Sequence, residues 1–186
     1  MSAKGPSKQN LAQAIYLAAR ESFSGLRVAH AGERFYYYAL ITTGEAHPPE
    51  PVAWSEESLL RVAGHSEEEA RLLRWSYADS PYYGFMRDEF AHVRALFDLR
   101  PAMMADGGAV DCEYWDTEFS LRLSAMEYAM SKLDGEGFFG EGDARMDMVI
   151  NVEVMPPDYT NVLRALRLNP IGALNRWLDE AAELDD

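Results

Sequence analysis

Two histidine–carboxylate pairs are the first groups in this sequence whose spacing suits a reaction centre. His65 precedes Glu69 by four residues and Glu89 precedes His92 by three, so each pair shares one face of a helix. Two imidazoles and one carboxylate are the ligand set of non-haem iron oxygenases. Neither a His-Glu-x-x-His run nor a close histidine pair is present, and the same spacing describes surface histidines beside solvated carboxylates. No metal ligand and no cofactor is assigned.

The acidic run Asp111, Glu113, Asp116 and Glu118 surrounds Trp115. Paired carboxylates act as acid and base only where burial drives their pKa values apart. At a loop and a helix start they suit the positive end of the macrodipole instead, and Asp116 is the expected N-cap. Cys112 has no basic neighbour in sequence to lower its pKa and reads as a small buried residue. Gly135, Gly137 and Gly140 spell Gly-x-Gly-x-x-Gly, but this run follows a helix, precedes a strand and carries Glu136, Glu141 and Asp143, which repel phosphate. As a calcium loop, Asp134 to Asp143 fails, because phenylalanines stand at a ligand position and at the required glycine. No catalytic residue is assigned.

Aromatic and acidic surfaces remain. Trp75, Tyr77, Tyr82 and Tyr83 form a loop patch, which either plugs the end of a sheet or anchors a partner. Asp179, Glu180 and Glu183, followed by Asp185 and Asp186, crowd the end of the last helix, where the macrodipole disfavours anions. Trp75, Tyr77, Tyr82, Tyr83, Asp179, Glu180 and Glu183 are therefore the candidate partner-binding residues.

Charge bounds the partners. Seventeen basic residues face 31 acidic ones among 186, for a formal net charge of −14. Phosphate backbones and anionic membranes are both repelled, so neither nucleic acid nor membrane is expected, whereas a basic protein is attracted. The lone cysteine excludes an internal disulfide and suits a reducing cytosol. The start shows neither the apolar core of a signal peptide nor a run long enough to span a bilayer. A cytoplasmic location is expected.

The elements that must position these groups begin with Phe35–Thr43. β-Branched and aromatic residues fill it and neither face is charged, so it reads as a central strand covered on both sides, with Phe35, Tyr37, Ala39 and Ile41 on one face. A second, half-buried strand is expected over residues 146–155, beside the first, with Asp147, Asn151 and Glu153 on its polar side. About six helices pack the sheet. One is expected from Lys8 to Ser22, stopped by Gly25, and Ser55 and Ser66 cap two short ones. Residues 44–51 and 102–111 read as loops, and Asn169 reads as the N-cap of the final helix before Pro170. Residues 1–7 and the last acidic residues are expected to be disordered, leaving one α+β domain over 8–184.

Phe35–Thr43, Pro51–Arg61, Leu73–Tyr77, Met148–Val154 and Leu168–Pro170 together resemble the bacterial family known as domain of unknown function 4303. The resemblance runs from the first helix to the last and carries strand, cap and turn signatures. It implies no activity, so no residue inherits a catalytic role. Three readings stand: a protein-interaction module with an acidic surface, such as an immunity-type inhibitor of a basic partner; a small hydrolase-like enzyme in which His65, His92 and the Asp111–Asp116 group converge; and a structural or housekeeping subunit.

Overall fold

Phe35–Thr43 forms β1, the middle strand of a mixed three-stranded sheet ordered β2-β1-β3 in the computed structural model, which describes residues 5–103 and 112–183. The expectations placed on residues 1–4, 104–111 (Asp111 among them) and 184–186 lie outside the described residues. β1 is buried from Tyr36 to Thr42, as a strand covered on both faces must be. A bulge between Phe35 and Tyr37 shifts the alternation at its start. Phe35 therefore joins the face of Tyr38, with ring centroids 5.4 Å apart, while Tyr36 and Tyr37 both pack nearly perpendicular to the Trp75 ring.

β2 (Glu50–Ser55) pairs antiparallel with β1 and occupies part of the expected loop. It is an edge strand, the position in a sheet that tolerates Pro51. β3 (Val149–Met155) pairs parallel with β1, Tyr37 opposite Val149 and Leu40 opposite Val152, so the expected neighbourhood of the two long strands is found.

Two helical layers cover the sheet. α1 (Lys8–Ala29) and α5 (Cys112–Gly135) bury Leu11, Ile15, Phe23, Met126 and Met130 with Tyr38, Leu40, Ile150 and Val152. The opposite face buries Tyr37, Ile41, Val52 and Trp54 under α2 (Glu56–Val62), α3 (Glu67–Leu73), α7 (Tyr159–Leu168) and α8 (Asn175–Glu180). Two short α-helices complete the set, α4 (Ala91–Asp98) and α6 (Asp143–Met146). Ser55 and Ser66 cap α2 and α3 as their spacing predicts.

Three local expectations are corrected. α1 runs through Gly25, because Leu26 continues its buried face and the lost propensity is only about 1 kcal/mol. A side chain there would collide with Met86, whose sulfur would lie 2.2 Å from the new carbon. α5 begins at Cys112, so Asp116 is an exposed interior residue rather than a cap, and Cys112 is exposed rather than buried. Glu118 is buried between Arg100 and Arg122 and accepts from both Nε atoms, at 2.9 and 2.8 Å. Burial opposes its ionisation, but these guanidinium groups still hold its carboxyl below the ordinary value.

The third correction is Asn169, which ends α7 and caps no helix after it. Its amide donates to the Ile150 carbonyl at 2.7 Å and to the Ala165 carbonyl at 2.8 Å, while its oxygen accepts from Ile150 N–H at 2.9 Å. It thus ties the end of α7 to the open edge of β3. A lost cap costs about 1 kcal/mol, whereas leaving the Ile150 N–H and carbonyl unpaired costs about 2–3 kcal/mol in total; the Ala165 carbonyl keeps the backbone N–H of Asn169. Asn169→Ala is expected to lower unfolding free energy by the larger amount. A denaturation midpoint matching wild type, or a loss no greater than a cap's, removes this account.

Candidate functional site

The residues that build the site come from a face of β3 that its alternation marks as polar. Asn151 is fully buried, and Glu153 keeps only 7% of its surface, so the strand is covered on both faces rather than half-buried. The cover consists of α7 and α8, which bring Ala165, Leu174 and Trp177 onto that side of the sheet. Buried polar groups need partners, and the neighbouring strand supplies one. Tyr37 donates its hydroxyl to Glu153 Oε1 at 2.7 Å, and the Asn151 amide donates to the same oxygen at 3.2 Å. Glu153 Oε2 accepts from no side chain among the described residues.

Burial pushes the Glu153 carboxyl above the ordinary value; hydrogen bonds from Tyr37 and Asn151 and the charge of Arg164 oppose this without reversing it. The Tyr37 hydroxyl is driven far above its usual range, by burial first and then by Glu153. Arg164 is also buried, with its donors used internally: Nε reaches the Val152 carbonyl at 2.7 Å and one Nη reaches Asn161 Oδ1.

Glu153 lines a cleft of about 610 Å³ together with Trp75, Tyr77, Trp177, Pro156 and Glu183. Its aromatic wall is fixed from below. Tyr36 donates its hydroxyl to the Arg74 carbonyl at 2.7 Å, and Trp54 donates its indole N–H to the Ser76 carbonyl at 2.8 Å. The Trp75 indole N–H donates to Glu180 at 2.9 Å, joining this loop to α8. Arg176 donates to the other oxygen of Glu180, also at 2.9 Å. Despite burial, the contacts with Arg176 and Trp75 hold Glu180 below the ordinary value, so it is ionised at neutral pH. Glu180 and Asp179 also line a second, mainly acidic hollow of about 810 Å³ with Glu67, Glu68 and one basic residue, Arg71.

The candidate residues read from sequence therefore divide. Trp75, Tyr77 and Glu183 meet in the cleft, while Asp179 and Glu180 line the hollow beside it. The half-exposed Tyr83 ring packs against Tyr77, with centroids 5.8 Å apart. Tyr82 is buried and donates its hydroxyl to Glu33 at 2.5 Å, so it offers no free anchor. His65 and His92 are exposed and line no part of the cleft. Among the described residues, no group of three or more His, Cys, Asp or Glu side chains is arranged to hold a metal ion.

A second polar cluster had no sequence signal, because its members come from separate elements. Glu33 accepts from Ser55, Tyr82 and Arg61, and the His30 ring lies 3.3 Å from the Tyr82 hydroxyl. Burial opposes ionisation of Glu33, but its three donors keep the carboxyl below its usual value; burial and Glu33 push Tyr82 up to about 12. Ser55 is the buried cap of α2, so the cluster clamps the end of α1 to the β2–α2 junction.

The family model described as domain of unknown function (DUF4303) matches residues 15–170, a span that includes Glu153 and Trp75. The chain belongs to the DUF4303 family. No curated protein and no solved structure matches it. The match also covers Trp54, Tyr36 and Asn161 of this DUF4303 protein, but stops before Trp177 and Glu183. No helix among its described residues is long and apolar enough to cross a membrane.

The raised Glu153 carboxyl makes stability depend on pH. Below the ordinary glutamate value the group is protonated in both folded and unfolded states and has no effect. Above it, the unfolded state releases the proton more readily, so the folded state loses stability until Glu153 itself ionises. Glu153→Gln keeps an oxygen for Tyr37 and removes this loss. Its advantage over wild type should be absent at about pH 4 and grow as pH rises. Parallel stability curves for the two proteins between those limits contradict a raised Glu153.

Proposed function

We propose that this DUF4303 protein is a binding module for a basic protein partner, which it meets in the cytosol. The observation that carries the reading is the position of Trp75. Its ring lines the cleft, and its indole N–H is bound to Glu180, which belongs to the acidic hollow. A stiff aromatic anchor is thereby fixed beside exposed Glu67, Glu68 and Asp179. Aromatic anchors supply much of the energy at protein interfaces, while surrounding charge selects the partner and accelerates encounter. The net charge of −14 extends that attraction over the whole molecule.

The hydrolase-like alternative has less support. It requires His65, His92 and the Asp111–Asp116 group to converge, yet His65 lies between α2 and α3, His92 lies in α4, and both are exposed. An inhibitor of a basic toxin or nuclease is the form of the reading that best uses the acidic hollow.

The test is affinity capture from the source cell, comparing wild type with a Glu67→Gln, Glu68→Gln, Asp179→Asn variant. These side chains are exposed, so their replacement leaves the core intact. The expected partner is basic, and its association rate should fall about tenfold or more between roughly 0.05 and 0.3 M salt. The triple variant should show a slower rate and a weaker salt dependence. An acidic partner, or a rate indifferent to both salt and the substitutions, defeats the proposal.

A further inference from the structure

We propose that the cleft beside Glu153 receives a single ammonium or guanidinium group, which pairs with the Glu153 carboxyl. The inference deepens the reading of a basic partner and rests on it, assigning the contact that the acidic rim alone does not specify. Its first support is an unmatched acceptor. Glu153 is more than nine-tenths buried and lines the cleft, and both of its side-chain donors converge on Oε1. Oε2 has no donor among the described residues and is not sealed from solvent, so it is the carboxyl oxygen open to a ligand in the cleft.

The second support is the chemistry of the walls. Half-buried Trp75 and Tyr77 present aromatic surface, backed by the buried Trp177, and aromatic rings attract cations through their quadrupole. The ionisable carboxyls of the lining, Glu153 and Glu183, are both acidic, and neither Lys nor Arg lines the cleft. An anion would be repelled, and an uncharged ligand would leave these features unused. The volume of about 610 Å³ accommodates an alkylammonium or alkylguanidinium arm.

The third support is the electrostatic state of the empty site. The charged and titratable groups around Glu153 are Tyr37 on β1, Arg164 on α7, Tyr77 in the loop after α3 and Glu183 beyond α8. Tyr37 stays neutral because burial drives its hydroxyl up. Arg164 spends donors on Val152 and Asn161 and is not part of the lining. Burial accordingly favours the protonated carboxyl when the cleft is empty. An arriving cation favours the carboxylate, and the displaced proton passes to solvent. The cation thereby offsets the cost of burying the carboxylate charge.

Titration calorimetry with Nα-acetyl-lysine amide, Nα-acetyl-arginine amide and the uncharged Nα-acetyl-norleucine amide tests the exchange. A glycine–serine decapeptide bearing one lysine supplies the chain-borne form of the same group. Binding of a free amide indicates that a small cation suffices; binding of the decapeptide alone identifies a side chain of a partner. Either result supports the inference if affinity rises with pH through the Glu153 titration and buffer-dependent heats show proton release. Glu153→Gln should then weaken binding about tenfold or more, and Glu183→Gln less, because its charge is exposed to solvent. Should Glu153→Gln not fold, the wild-type pH series and buffer heats decide. Equal binding of the norleucine amide, a pH-independent affinity, or no binding by any of the four probes overturns the inference. Loss of the rim's salt-dependent capture with cation binding intact would instead refute only the protein-partner reading, and capture unaffected by Glu153→Gln would refute only the cleft's role.

Discussion

The outer edge of β3 sets the arrangement of everything on that side of the sheet. A parallel strand with no further neighbour leaves N–H and C=O groups unpaired, and a buried strand cannot leave them to water. Here three side chains at the end of α7 and along it replace the missing strand. Asn161 exchanges two hydrogen bonds with the backbone of Val154, Arg164 donates to the Val152 carbonyl, and Asn169 exchanges two with Ile150. The spacing of these residues keeps α7 alongside β3. From there the chain turns at Pro170 and brings α8, with Trp177, over Glu153. The cleft is thus a product of the way an exposed edge is closed.

Closing the edge also explains why Glu153 can be buried at all. The same helix that pairs with the strand contributes Arg164, whose charge opposes the cost of desolvation without contacting the carboxyl directly. Tyr37 reaches across from β1 to donate its hydroxyl to Oε1. The polar groups between sheet and helix form one continuous layer, in which Asn151 also donates to Glu153. A layer of this kind is stabilising only when its members are satisfied together, and the remaining Glu153 oxygen belongs to the cleft rather than to the closed layer.

Much of the fold was legible in the residues. β1 announces a central strand by having no charged face, and Ser55 and Ser66 announce their helices through cap geometry. The alternation of β3 misled because Asn151 and Glu153 resemble solvent-facing residues. A strand paired with β1, however, lies under the same two layers as β1, so its polar positions had to be internal. Asn169 misled for a related reason: asparagine before proline is a common helix start, and only the tertiary position of β3 reveals the stronger competing partner. Trp75, Tyr77 and Glu183 could be singled out as aromatic and acidic surface. Their convergence with Trp177 and Glu153 could not, because it depends on the path of α7 and α8.

The parallel pairing of β1 with β3 bears on how the chain acquires this structure. Tyr37 and Glu153 meet although they are 116 residues apart in sequence, whereas β1 and β2 are joined by a short connection. The β1–β2 ribbon can form as soon as its residues are available, but the other edge of β1 must wait until a long loop closes. During biosynthesis the aromatic strand is therefore made well before its second neighbour leaves the ribosome. An uncovered edge of this composition is an invitation to pair with the wrong chain, and α1, which precedes it and packs on one of its faces, is an early shield.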